Sequence, residues 1–202
     1  MITKTEPKLF IVESLHFEDE DDNDFEGHAL SSILHLSRIE NKYFYIRTEQ
    51  ELIELIDKFH ELRYRFLHIS CHGNKKSIGT TLDSIPFKRL GNILAEMLPG
   101  KRLFLSACSA VNDDLADILF NKTGCSSIIG PDDTVNFDDA AIFWSSFYQL
   151  MFKQNPRAMK QSRLEKTLKE LVALHKIPMK YYTASKTSER GWNEIVLIQN
   201  GA

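Results

Sequence analysis

Cysteine is scarce in this chain, and the few cysteines form no recognisable pattern. Only three occur among the 202 residues, at Cys71, Cys108 and Cys125. Three is an odd number and no two form a Cys-x-x-Cys pair, which excludes both a disulfide framework and a common type of zinc site. Because free thiols persist in reducing compartments, the composition predicts a cytoplasmic protein.

An excess of charge and a long hydrophobic run are also missing. Lys and Arg total 25 against 28 for Asp and Glu, a formal net charge of −3. This balance lacks the basic surface that nucleic acids require, so we expect no nucleic-acid partner. The longest apolar stretch, 140–152, is broken by serines and a glutamine and is too short to span a bilayer, so we expect no membrane partner. The apolar core of the N-terminal segment 1–14 is too short for a signal peptide.

What the chain does have is a regular alternation of strand-like and helix-like segments. Short apolar runs predict strands, and apolar residues at helical spacing predict helices. The predicted strands are 8–14, 43–48, 65–70, 102–108, 125–130, 179–185 and 192–199. The predicted helices are 27–39, 49–62, 86–98, 111–124, 137–155 and 156–177, with a small hairpin at 77–87. This order predicts one α/β domain over 1–202, a three-layer sandwich with a mainly parallel central sheet and helices on both faces.

Two of the predicted strands end in side chains that carry chemistry. Strand 65–70 leads to His72, and strand 102–106 leads to Cys108. If these parallel strands are neighbours, both residues emerge at the same edge of the sheet, where ligands of α/β proteins bind. A histidine beside a thiol takes its proton or lowers its pKa, and the thiolate is the nucleophile. The alternatives are a buried structural thiol at Cys108 and a turn histidine at His72.

The residues around this pair favour an acyl-transfer site. Small residues flank Cys108 and leave room for a substrate backbone. The backbone N–H groups of Cys108 and Gly73 are candidates to stabilise an oxyanion, and Gly73 lets its loop approach that point without a Cβ. Cys71 and Cys125 are predicted to be core thiols. Among the other histidines, His16 is expected at the surface or satisfied locally, and His68 is expected to pack within its strand.

The two motifs resemble those of a known family. "HISCHG" (68–73) followed by "LFLSACSA" (103–110) is similar to the caspase-like (clan CD) cysteine peptidases, most closely the CHAT-domain branch. The strand 125–130 and the helix 137–152 resemble the elements that follow in CHAT domains. The chain departs from the family after this strand, where "PDDTVN" (131–136) stands in place of a Trp-Pro-Val-Asp-like segment.

This resemblance implies a function. It implies a cysteine endopeptidase acting on protein or peptide substrates, with Cys108 as nucleophile and His72 as base, and without a metal or an organic cofactor. It also implies a regulated bacterial effector in antiviral defence, with a nucleotide messenger or an activating protein partner as candidate regulators. The alternative is a non-catalytic caspase-like binding module, used as an adaptor or as a sensor of a small ligand.

Two further acidic features lead to predictions. Asp132 and Asp133 follow the strand 125–130, and a carboxylate in a substrate pocket would select cleavage after Arg above Lys; the alternative is that both aspartates face water. The acidic segment 16–27 fails the EF-hand pattern, because Asp24 stands where glycine is required. We predict that this segment is a solvated, mobile loop, and that the chain alone is weakly active until it assembles or binds a ligand.

Overall fold

A seven-stranded sheet organises the chain. The computed structural model describes residues 5–155 and 159–197. In spatial order, the strands of the main sheet are β2 (Asn41–Tyr45), β1 (Glu6–Glu13), β3 (Tyr64–Ser70), β7 (Arg102–Ser106), β8 (Ser127–Pro131), β9 (Met179–Ala184) and β10 (Trp192–Glu194). The first five run parallel to one another, whereas β9 is antiparallel to β8 and β10 is antiparallel to β9. The mainly parallel sheet that the sequence predicts is therefore confirmed.

A small second sheet and seven helices complete the described residues. The small sheet contains β4 (His72–Gly73), β5 (Ser77–Gly79) and β6 (Ser84–Pro86). The helices are α1 (Phe17–Asp22), α2 (Glu26–Leu36), α3 (Glu49–Glu61), α4 (Phe87–Ile93), α5 (Asp113–Thr123), α6 (Phe137–Gln154) and α7 (Gln161–His175). None of the helices within the described ranges has the length and apolar character needed to cross a membrane.

Helices cover both faces of the main sheet and enclose two separate cores. Along β1, Phe10 and Val12 face the core that contains residues of α3, α4 and α5, whereas Leu9 and Ile11 face the core that contains residues of α2, α6 and α7. All four side chains are fully buried, which explains why this strand is a continuous apolar run in the sequence. The three-layer α/β arrangement is confirmed.

Most predicted elements are present with shifted ends. Thr48 caps α3 as predicted: its hydroxyl accepts the Glu51 N–H at 3.2 Å, and the Glu51 carboxylate accepts the Thr48 N–H at 3.0 Å. The helix predicted over 86–98 ends earlier, at Ile93. Residues 156–158 of the last predicted helix and 198–199 of the last predicted strand lie outside the described residues.

The acidic segment 16–27 is not the loop that the sequence predicts. Its first half forms α1, followed by a left-handed turn at Asn23 (φ 65°) and then by α2. The Glu20 carboxylate pairs with the Arg47 guanidinium and accepts the Tyr45 hydroxyl, and these bonds lower the pKa of Glu20. The prediction of a loop is therefore wrong for this half of the segment, which is a helix that contacts Tyr45 and Arg47. Glu18, Asp21 and Asp22 are exposed to solvent as predicted, and the mobility of the segment stays a prediction. The prediction that the chain is weakly active until it assembles or binds a ligand therefore loses the support that came from a loop in this segment.

Candidate active site

The ends of β3 and β7 bring the two candidate residues to one edge of the sheet. The strands are paired in register, with Ser70 opposite Ser106, and the Cys71 N–H donates to the Ser106 carbonyl at 3.0 Å. Beyond these residues the two segments diverge: the one after β3 continues into β4 with His72, and the one after β7 turns at Cys108. The neighbouring strands on which the prediction depended are therefore present.

His72 and Cys108 line one cleft of about 540 Å³ at this edge. Its walls are formed by the turn that follows β7, the segment after β8 and the first turn of α6. The apolar part of the lining includes Ala107, Pro131, Val135, Phe137 and Ala140, and the acidic part consists of Asp24, Glu26 and Asp138. A concave site with a thiol, an imidazole and several carboxylates is suited to a polar substrate such as a peptide.

Cys108 is the accessible thiol of the three. Its side chain is partly exposed, whereas Cys71 and Cys125 are buried. Burial raises the pKa of Cys71 to about 12 and that of Cys125 to about 11, so both remain protonated thiols. The Cys108 sulfur accepts the Val135 N–H at 3.4 Å and lies 3.5 Å from the Val135 carbonyl oxygen, so the backbone of Val135 holds the thiol at the cleft.

Hydrogen bonds join the turn that carries Cys108 to the end of β8 and to the segment that follows it. Ser109 has a left-handed backbone (φ 57°), and its N–H donates to the Asp133 carbonyl at 3.1 Å. The Val111 N–H donates to the Pro131 carbonyl at 3.2 Å. A non-glycine residue in this conformation is held by its surroundings, and here the tether orients Cys108 toward the cleft.

The backbones of Gly73 and Cys108 lie in direct contact. A Cβ on Gly73 would be 2.9 Å from the Ala107 Cβ and 3.0 Å from the Cys108 carbonyl oxygen, so only glycine allows this approach. The Asn74 N–H donates to the Ser77 carbonyl of β5. Because successive N–H groups of a strand in an antiparallel pair point alternately toward and away from the partner strand, the Gly73 N–H points away from β5. No acceptor within the described part of the chain takes the Cys108 N–H.

Three side chains fix the imidazole of His72. Its Nε2 lies 2.7 Å from the Asp19 Oδ2, the His16 ring stacks on it with a centroid distance of 3.9 Å, and the Phe137 ring meets it edge-on at 5.6 Å. With Nε2 donating to the carboxylate, the neutral ring keeps Nδ1 as its acceptor. Nδ1 has no hydrogen-bond partner among the residues that the structure describes.

A buried network of hydrogen bonds joins the ends of β3 and β7 beneath the cleft. The Glu26 Oε2 accepts the hydroxyls of Ser70 and Ser106, each at 2.9 Å, and the Trp144 indole N–H donates to the Ser106 oxygen at 3.0 Å. His68 is fully buried in this network, 3.0 Å from the Tyr148 hydroxyl, which confirms that it packs within its strand. The network holds the two strand ends in register directly beneath the cleft.

Asp132 and Asp133 lie beside this cleft and are not among its lining residues. The Asp132 carboxylate faces the Lys180 ammonium at 4.0 Å, and the Asp133 Oδ1 accepts the Thr134 N–H at 2.8 Å. The acidic and histidine side chains that contact His72 are instead Asp19 and His16. Sequence reasoning missed both, because Asp19 is 53 residues from His72 and its acidic neighbours look alike in the sequence.

Comparison with known proteins agrees with this architecture. No protein-family model matches the sequence, and no curated protein matches it. Among solved structures, a secreted C11 cysteine protease from Bacteroides thetaiotaomicron, iotapain, matches with a TM-score of 0.54 and 10% identity over 90% of this chain and 67% of that one. The chain has a caspase-like α/β fold. The neighbour belongs to the C11 proteases of clan CD, so assignment to the CHAT-domain branch stays a prediction.

Proposed function

We propose that this protein is a cysteine endopeptidase whose nucleophile is Cys108 and whose general base is His72. One observation carries the proposal: the accessible thiol and a fixed imidazole line a single cleft at the ends of adjacent parallel strands. The cysteine protease with a similar fold supports peptide-bond hydrolysis as the chemistry. Cytoplasmic location stays a prediction from the cysteine composition. A role in antiviral defence and activation by a nucleotide messenger or a protein partner stay predictions from the resemblance.

The proposed mechanism uses only groups of the chain and water. His72 takes the thiol proton through Nδ1, and the Cys108 sulfur attacks the scissile carbonyl carbon. The N–H groups of Gly73 and Cys108 stabilise the oxyanion, and the imidazolium then protonates the leaving amine. Water, deprotonated by the same imidazole, hydrolyses the thioester and regenerates the thiol. Asp19 is a positioning residue, because its carboxylate holds the ring by Nε2.

A thiol-reactive substrate mimic separates this proposal from the binding-module alternative. Covalent labelling confined to Cys108, with hydrolysis of a peptide library, supports the peptidase. A folded protein that neither reacts nor hydrolyses any peptide would support an adaptor or ligand sensor.

The Asp19→Asn substitution tests the positioning role. We expect kcat to decrease by at least about tenfold with KM nearly unchanged, because the amide holds the His72 ring less well and supports the other tautomer. The matched control is Asp21→Asn, which removes an exposed carboxylate from the same helix. Equal kinetics for the two variants would contradict the role of Asp19.

Substrate selection is the second test of the cleft. We predict cleavage after a basic residue, Arg above Lys, because carboxylates line the cleft and guanidinium binds carboxylate through two parallel hydrogen bonds. A peptide panel should vary only the residue before the cut bond. Asp138→Asn should lower kcat/KM for Arg substrates more than Asp132→Asn or Asp133→Asn does, because only Asp138 of the three lines the cleft. A preference for acidic or apolar residues would refute the prediction.

A further inference from the structure

A cluster of potential metal ligands stands at the edge of the cleft. One ligand atom from each of His16, Asp19 and His72 lies within 4.8 Å of the other two, the one such group of three found in the described residues. His16 is exposed, and the side chains of His72 and Asp19 are 32% and 21% exposed, so solvent ions have access to all three. Glu20, the next acid of α1, is engaged by Arg47 and is not available to the cluster.

We propose that this cluster binds a divalent transition-metal ion of the zinc type, and that the bound metal switches off the catalytic histidine. Two imidazole nitrogens and one carboxylate oxygen form the protein ligand set of open zinc sites, in which water occupies the fourth position. Ca²⁺ and Mg²⁺ prefer all-oxygen sites and are not suited to this one. The inhibitory part rests on the proposed peptidase function, whereas metal binding itself does not.

The distances need only local adjustment. Zinc bonds of about 2.0–2.2 Å in a tetrahedron separate the ligand atoms by roughly 3.3 Å. The hydrogen-bonded pair of His72 Nε2 and Asp19 Oδ2, now 2.7 Å apart, must open slightly, and no pair in the cluster exceeds 4.8 Å. His16 immediately precedes α1 and is exposed, so rotation of its side chain, which replaces its stacking on His72 by coordination, can supply the remaining movement.

Metal at Nε2 removes the base without blocking the thiol. Coordination replaces the Nε2–H···Oδ2 hydrogen bond, so the ring proton leaves Nε2. The neutral ring carries one proton, which then resides on Nδ1, and Nδ1 loses the lone pair that would accept the proton of Cys108. No bond of the chain breaks and nothing is oxidised, so chelation of the metal should restore the base.

The binding experiment uses the full chain carrying Cys108→Ala, which excludes the thiol as a ligand and does not depend on peptidase activity. Zn²⁺ binding is measured by calorimetry, and Co²⁺ binding by its visible absorption. We expect one ion per chain, and affinity at least about tenfold lower after His16→Ala or Asp19→Asn is added. His60→Ala, which removes an exposed histidine of α3, should leave the affinity unchanged. No stoichiometric binding, or equal binding by the His16→Ala variant, would overturn the proposal.

The inhibition experiment uses the chain with Cys108 intact, and each rate is normalised to the metal-free rate of the same variant. Zn²⁺ should inhibit peptide hydrolysis reversibly, and His16→Ala should raise the half-inhibitory concentration at least about tenfold. Equal inhibition of both proteins would show that inhibition does not require His16 and would refute the switch. If the chain hydrolyses no peptide, the proposed function fails, and the binding experiment still decides the metal site.

Discussion

Replacement of Cys108 by alanine is expected to reduce peptidase activity by at least about a thousandfold, because the other thiol that lines the cleft, Cys71, is buried and protonated and cannot form the thioester in its place. The side chain is small and partly exposed, so the melting temperature should change little. The measurement is hydrolysis of a peptide library together with covalent labelling by a thiol-reactive substrate mimic. His72→Ala should also abolish hydrolysis at an unchanged melting temperature.

The matched control for this prediction is Cys71→Ala. Cys71 lies next to His72 in the sequence and also contributes to the cleft lining, yet its side chain is buried in the core. This variant should keep its labelling at Cys108 and lose only the modest stability of one buried small side chain. Activity that survives in Cys108→Ala and disappears in Cys71→Ala would show that the wrong thiol has been assigned.

The largest effect on stability is expected from Gly130→Ala. A Cβ at this position in β8 would overlap the carbonyl oxygen of Leu105 and lie 2.6 Å from the Val111 Cγ2. Leu105 belongs to the buried central strand β7, and Val111 is fully buried, so neither can move away freely. We expect a loss of about 4 kcal/mol or more in the free energy of unfolding, measured by urea denaturation.

Gly79→Ala is the control for this effect. Gly79 also lies in a strand, and the nearest atom to a Cβ there would be the Cβ of His72 at 3.6 Å, an ordinary contact. Alanine should therefore be neutral or slightly stabilising, because it restricts the unfolded chain. Equal losses for the two variants would show that the cost lies in replacing any strand glycine and not in the contact with Leu105.

The sequence by itself determined the layer architecture and the place of the candidate dyad. Where a strand is buried on both faces, as β1 is from Leu9 to Val12, successive residues are apolar, and this leaves a continuous run that sequence analysis detects. Parallel strands joined by helical crossovers end at one edge of the sheet, so the sequence predicted His72 and Cys108 on one side on the condition that their strands are neighbours, and the pairing of β3 with β7 meets that condition. Helix caps such as Thr48 are local and were equally predictable.

Only the tertiary structure decided what surrounds the dyad. Nothing in the acidic run shows that Asp19 meets His72 while Glu20 meets Arg47, because these partners are brought together by the return of the chain from β2 and β3. The same holds for Asp132, whose position after β8 suggested the cleft but whose carboxylate faces Lys180 on the antiparallel strand β9. Burial and periodicity are repeated along a segment and leave a pattern in the sequence. A single contact between distant loops depends on the path of the whole chain and leaves none.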